Sequence, residues 1–169
     1  MKTRRIMLSG FALAFALSAT ASAQINVSSP AFQSGGMIPT EFTCQGADRN
    51  PPLQFRGIPK AAKSLALIVD DPDAPGGLFT HWLVWNIDPG TTQISAQSVP
   101  NVAIEGTNDF GKRGYGGPCP PSGTHRYYFR VFALDQKMDL KSGAKRSALD
   151  RALKNHILAR GELMARCRH

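Results

Sequence analysis

Three short polar clusters, Asp71-Pro72-Asp73-Ala74-Pro75, His81-Trp82 and His125-Arg126-Tyr127, supply two carboxylates, two imidazoles and a phenol. Such groups build oxyanion pockets, general-base pairs and metal sites. Each cluster alone has an ordinary explanation. Asp-Pro-Asp is turn chemistry, a strand histidine is more often a satisfied core polar group, and Tyr127 fits a core. Position gives them weight, because each adjoins a segment that reads as a strand, and strand ends can converge.

The first of those segments, Ser64-Leu65-Ala66-Leu67-Ile68-Val69, is an apolar run that stops in acidic, proline-rich turn residues, which suits a buried strand. A second strand is predicted over 81–87 and a third over 126–134. In the third, Tyr127, Phe129, Val131 and Ala133 alternate with Tyr128, Arg130, Phe132 and Leu134. Neither set is uniformly polar, so this strand is expected to be central and covered on both faces. Residues 34–52 read as loop with at most one brief strand. The stretch 106–123 is crowded with Gly and Pro, too irregular for a helix, and reads as the wall of a site. From Ser147 onward, Leu149, Leu153 and Ile157 recur at helical spacing, with Ser147 and Asp150 placed as an N-terminal cap. Gly161 would end or interrupt that helix. With no repeat or heptad seam, the pattern predicts β-rich structure closed by a C-terminal helix.

At the amino end, Lys2, Arg4 and Arg5 precede an apolar stretch from about Ile6 to Ala19 and the small residues Ala21-Ser22-Ala23. This is the pattern of a cleavable secretory signal over 1–23, leaving one domain over 24–169 in the periplasm or medium. Ser9, Gly10 and Ser18 interrupt the stretch, which falls short of the ~20 apolar residues of a spanning helix. The Arg4-Arg5 pair fits a Sec signal or the twin-arginine route. The formal charge of +8 drops by the three basic residues of the leader to +5. Many of the remaining basic residues, Lys141 to Arg168, read as a solvated helix face, with contact to anionic surfaces at most peripheral. They do not interleave with aromatics as a nucleic-acid stripe would.

Of the three cysteines, Cys44 lies in Thr43-Cys44-Gln45-Gly46 and Cys119 in Gly117-Pro118-Cys119-Pro120-Pro121. Both are turn-rich settings, so a Cys44–Cys119 disulfide is expected in an oxidising compartment. Cys167 is then either free or joined to a second chain, and the oligomeric state, dimer included, stays open. No Cys-x-x-Cys spacing supports a zinc site.

Read in order, the chain resembles the phosphatidylethanolamine-binding protein family, whose bacterial branch is described as Raf kinase inhibitor-like. The resemblance rests on Cys44-Gln45-Gly46 with Asn50-Pro51-Pro52-Leu53, Asp71-Pro72-Asp73-Ala74-Pro75, His81-Trp82-Leu83-Val84-Trp85-Asn86, Asn108-Asp109-Phe110-Gly111, Gly114-Tyr115-Gly116-Gly117-Pro118, and Pro120-Pro121-Ser122-Gly123-Thr124-His125-Arg126-Tyr127 with Ala133-Leu134-Asp135. It weakens past Ala159, and Met164 to His169 depart from it. It implies an antiparallel β-sandwich with a large central sheet, a smaller sheet and a C-terminal helix. It also implies a small cavity lined by Asp71, Pro75, His81, Gly116, Pro118, His125 and Tyr127, with Asp73 behind them, and it implies no cofactor.

In such a cavity an oxyanion wants convergent donors, expected from His81, the Tyr127 hydroxyl and the backbone N–H groups of the Gly116-Gly117 turn. Asp71 would repel a phosphate, so its expected role is to orient a histidine. Ala74-Pro75 is a candidate for a cis bond. The reading is therefore a module binding a small anion or phosphoryl headgroup, with kinase- or protease-inhibitor-like action on a partner suggested by resemblance alone. The rival is a hydrolase using His81 or His125 as base with Asp71, although no Gly-x-Ser-x-Gly elbow provides a nucleophile. Metal binding by His81, His125, Asp71 and Asp73 is a third option that no spacing selects.

Overall fold

Apolar runs of period two pair into two sheets. The computed structural model describes residues 23–169, so the expected signal lies outside the described residues except for Ala23. The strands are β1 (Ala23–Gln24), β2 (Asn26–Ser28), β3 (Leu53–Arg56), β4 (Ser64–Asp71), β5 (Phe79–Ile87), β6 (Gln93–Ile94), β7 (Ile104–Glu105), β8 (Thr124–Leu134) and β9 (Ile157–Arg168), with helix α1 (Arg146–Leu153) before the last. The large sheet runs β1-β9-β8-β4-β5-β7 and the small one β2-β3-β6. All pairings are antiparallel except β1 with β9. The architecture is thus mainly antiparallel β, two sheets and a helix near the carboxyl end, as expected.

β8 is the spine. It pairs with β4 on one side and β9 on the other, and its inward residues Tyr127, Phe129, Val131 and Ala133 are wholly buried. They join Leu67, Val69, Trp82, Phe55 and Leu163 in the core between the sheets. On the opposite face Leu134 and Phe132 meet Ala66, Ile68, Trp85, Leu149 and Leu153 under α1. Burying a side chain of Leu or Phe size contributes ~1.5–3 kcal/mol, and two such layers hold the central strands fixed.

The carboxyl end corrects the sequence reading. The helix stops at Leu153, Ile157 opens a strand and is 43% exposed, and Gly161 lies inside β9. The helix N-cap is Lys145 with no side-chain cap bond. Ser147 lies within the helix, and Asp150 accepts instead from Arg146 Nε (2.8 Å). Asn155 adopts a left-handed φ of 68° and turns the chain back along β8. Gly161 is required because a Cβ there would collide with the Ile25 carbonyl, where the amino-terminal segment crosses β9. The missed signal was alternation: Ala159, Leu163, Ala165 and Cys167 face in, while Arg160, Glu162, Arg166 and Arg168 face out.

Candidate ligand site

One end of the large sheet gathers the three polar clusters. On β4 and β5, Val69 faces Trp82 and Asp70 faces Thr80, so His81 is the extra residue of a β-bulge. A bulge re-aims a side chain, and here it turns the His81 imidazole against the inward Tyr127 ring, 5.2 Å between centroids. Phe79 and Phe110 complete an aromatic collar around it, at 5.2 and 5.3 Å. His81 is 3% exposed. Its Nδ1–H donates to the Gly116 carbonyl (2.7 Å), while Gly116 N–H donates back to the His81 carbonyl (3.0 Å). Burial pushes its pKa below the usual 6.5, against the opposing pull of the Gly116 carbonyl and Asp71.

Asp71 ends β4 and His125 lies near the start of β8. His125 Nδ1–H donates to Asp71 Oδ2 at 2.7 Å, both side chains nearly buried. The other carboxylate oxygen accepts the Asp73 N–H (2.8 Å), a turn bond that aims the group. The Asp73 carboxylate turns away. It grips Arg126 through its backbone N–H, Nε and a terminal nitrogen (2.9, 2.9 and 2.6 Å). Arg126 thereby holds the Asp73 carboxyl down at about 2. Asp73 thus supports the site through its backbone alone. Pro75 lies exposed in the 72–78 turn, apart from the buried cluster. Its bond to Ala74 is trans, since no cis peptide occurs among the described residues.

The glycine-rich loop forms the facing wall. Cys44 and Cys119 are disulfide-bonded with Cα atoms 5.4 Å apart, and Cys44 N–H donates to Pro118 O (3.1 Å), so two loops are fastened together. Gly116 and Gly117 fit tightly: a Cβ would fall 2.5 Å from Phe110 at the first and 2.6 Å from Asp48 Oδ1 at the second. A small cavity of about 120 Å³ opens here, between the disulfide, Asn108, Phe110 and the two glycines, with Lys112 at its edge.

The loop's amides differ from expectation. Gly116 N–H is engaged by the His81 carbonyl and Gly117 N–H by Asp48 Oδ1 (2.6 Å), so neither is free to hold an anion. The turn needs these bonds because its backbone is buried.

Tyr127 remains. Its side chain is wholly buried, and its hydroxyl makes no hydrogen bond with any protein atom. Burial first, and Asp71 second, keep it protonated by raising its pKa well above 10. The Asp71 carboxylate and the Cys119 backbone lie near enough to the hydroxyl to act on it as hydrogen-bonding neighbours, yet neither meets it within hydrogen-bond distance and angle. Leaving such a group unpaired costs ~1–3 kcal/mol, so the fold carries a donor that a ligand would satisfy.

Sequence reading missed Cys167. It stands directly across the β8–β9 ladder from His125 and is a free, buried thiol. Its thiol donates weakly to the Arg168 carbonyl (3.6 Å), and burial followed by Asp71 pushes its pKa up. The inward alternation of β9 was the signal that would have found it.

The larger depressions lie elsewhere. One of about 710 Å³ follows residues 99–105 with Arg113 and Ser142; another of about 260 Å³ lies over Trp82, Glu105 and Tyr115. Both are open, whereas water exclusion is what strengthens polar recognition. The 120 Å³ cavity, although not itself lined by Asp71, His81, His125 or Tyr127, adjoins His81 through Gly116 and Phe110. The buried cluster is therefore the candidate site.

Comparison with known proteins agrees with this arrangement. The phosphatidylethanolamine-binding protein family model matches residues 28–168. A UPF0098 protein of Methanothermobacter thermautotrophicus is 45% identical over 145 residues, 83% of this chain and 96% of that one. Two crystal structures superpose with TM-scores of 0.81. One is a phosphatidylethanolamine-binding protein homologue from Chlamydia trachomatis, at 40% identity over 86% of this chain and 97% of the other. The second is E. coli YbcL, described as a new member of the mammalian family, at 32% identity over 88% and 99%. With sheet order, motif order and these matches in accord, the chain belongs to the phosphatidylethanolamine-binding protein family.

Proposed function

We propose that this protein is exported and binds a small ligand bearing a phosphoryl or similar anionic group in the pocket between Asp71, His81, His125 and Tyr127. The supporting observation is the buried, unpartnered Tyr127 hydroxyl beside an Asp71–His125 pair. A folded core tolerates an unpaired buried donor chiefly where a ligand or water completes it. Asp71 orients His125 and balances its charge when it protonates. It does not bind the anion itself. Export rests on the amino-terminal pattern over 1–23. Action on a partner protein, of the kinase- or protease-inhibitor kind, belongs to this reading through the family alone, and an exported chain meets no cytoplasmic kinase.

Native mass spectrometry of the mature protein tests the pocket. A retained or added phosphate adduct that disappears in Tyr127→Phe and His125→Ala supports the reading. An adduct indifferent to both substitutions, or absent at millimolar phosphate, removes it.

The oriented His125 also suits a general base, which favours hydrolysis as the second reading. Cys167, the nearby thiol, is poorly suited as nucleophile because its pKa is raised and it bonds to a carbonyl. Turnover of p-nitrophenyl acetate or phosphate that vanished in His125→Ala would establish that reading instead.

A further inference from the structure

The hydrogen bonds around the pocket settle which of its polar atoms donate. A backbone carbonyl can only accept, so the 2.7 Å contact from His81 Nδ1 to Gly116 O places the imidazole proton on Nδ1. The second ring nitrogen, Nε2, is then a lone pair. Burial of His81 and the lowered pKa it brings keep this tautomer uncharged near neutrality. His125 Nδ1–H is likewise committed to Asp71, so His125 Nε2 accepts while that ring is neutral and donates once it is charged. Gly116 and Gly117 have given up their amides to the His81 carbonyl and Asp48. Asn108 Nδ2 donates to the Gly114 carbonyl (2.9 Å) and the His81 carbonyl (3.4 Å). The donors that remain are the Tyr127 hydroxyl, which has no hydrogen bond with a protein atom, and the Lys112 ammonium at the cavity. The pocket therefore mixes donors and acceptors, with at least one acceptor, His81 Nε2, that no protonation of Asp71 or His125 changes. A fully deprotonated oxyanion would set its lone pairs against that nitrogen.

Resting on the anion-pocket reading above, we infer that the ligand is recognised in a form that carries its own proton. The site takes a hydrogen-phosphate group whose P–OH donates to His81 Nε2 while an unprotonated oxygen accepts from Tyr127, and it discriminates against oxyanions of similar size with no proton. Free phosphate and protonated phosphomonoesters share this chemistry. A phosphodiester, such as the diester of a lipid headgroup, lacks the P–OH group.

Calorimetric titration of the mature wild-type protein at pH 7 with inorganic phosphate, sulfate and dimethyl phosphate separates these cases. Inorganic phosphate keeps at least one proton at this pH, and neither competitor has one. A charged hydrogen bond exchanged for a lone-pair clash predicts phosphate binding at least ~10-fold tighter than sulfate or dimethyl phosphate. His81→Gln, whose amide can present N–H to the ligand, should bring the phosphate-to-sulfate ratio within about threefold, with circular dichroism reporting whether the variant is folded. The wild-type comparison stands without it. Phosphate and sulfate binding equally in the wild type overturns this inference and leaves the anion pocket intact. Dimethyl phosphate matching phosphate also overturns it, in favour of a diester ligand. No phosphate binding overturns the anion pocket and this inference together.

Discussion

Asp70 and Asp71 are neighbours on β4, yet they face opposite sides of the sheet and meet opposite fates. Asp70 is wholly buried on the helix side, where Arg130 and Arg146 (3.0 Å) each take one of its oxygens. Arg146 goes on to Asp150 (2.8 Å), and Arg130 lies over the Tyr128 ring at 4.5 Å and reaches Glu162 (3.4 Å). No polar group of Asp70 is left wanting. Asp71 is also engaged at both oxygens, by His125 and by the Asp73 N–H, but it stands beside a hydroxyl that has no partner. The same residue type, one position apart, thus closes one network and leaves the other open. Completeness of the surrounding network, more than burial or charge, separates the setting of the structural carboxylate from that of the candidate functional one.

Five measurements test that contrast, from the largest expected effect to the smallest. Replacing Cys44 and Cys119 by serine removes a link closing 75 residues of sequence separation and should cost about 4 kcal/mol in denaturant unfolding. The loss should loosen the loop side of the sheet first, read as faster amide exchange at 114–120 than in β8. Uniform loosening would mean the two sides are not separable. Asp70→Ala should cost about 3 kcal/mol, at the low end for a broken buried pair because both arginines can reach solvent. Tyr127→Phe should leave the unliganded protein within about 1 kcal/mol of wild type, or slightly more stable, since it deletes an unsatisfied hydroxyl. A loss above about 2 kcal/mol would show that the hydroxyl has a protein partner after all.

The last two concern pH. His81 is less basic in the fold than the ordinary 6.5, so the unfolded chain binds more protons just below that value. Stability should therefore fall as pH drops from 6.5 toward the depressed folded value, and His81→Gln should flatten that slope. Asp73 works in a lower window. Its carboxyl lies at about 2 against an ordinary 3.8, so what its pairing with Arg126 contributes is present above 3.8 and lost as pH falls toward 2. With Arg126 half-exposed, solvent screens this pair and its contribution should be small. Asp73→Asn and wild type should thus differ little at pH 7 in thermal melts.

Much of the fold was legible because its signals are local. The run at 64–69, the alternation of 126–134 and the turn-rich cysteine loops announce β4, β8 and the disulfide from neighbouring residues. The helix was legible only to Leu153. Ile157 keeps the apolar spacing of the helix although Asn155 has already reversed the chain, so the helical reading runs on toward Gly161 over the first residues of the period-two pattern of β9. Among the site residues, Asp71, His81, His125 and Tyr127 do converge, whereas Pro75 and the Asp73 carboxylate do not. Cys167 escaped because the inward face of β9 exists only once that strand is recognised.

By itself, the sequence determined which residues are apolar at which period, where the turns fall, which cysteines lie in loops and which titratable groups adjoin strand ends. All of these are properties of near neighbours along the chain. Only the tertiary structure decided that Gly116 and Gly117 have no amide to spare, that a bulge turns His81 toward Tyr127, and that Asp70 is paired twice. The physical reason is that a hydrogen-bonding group has few partners to give, and which partner takes it depends on elements 35 to 76 residues away.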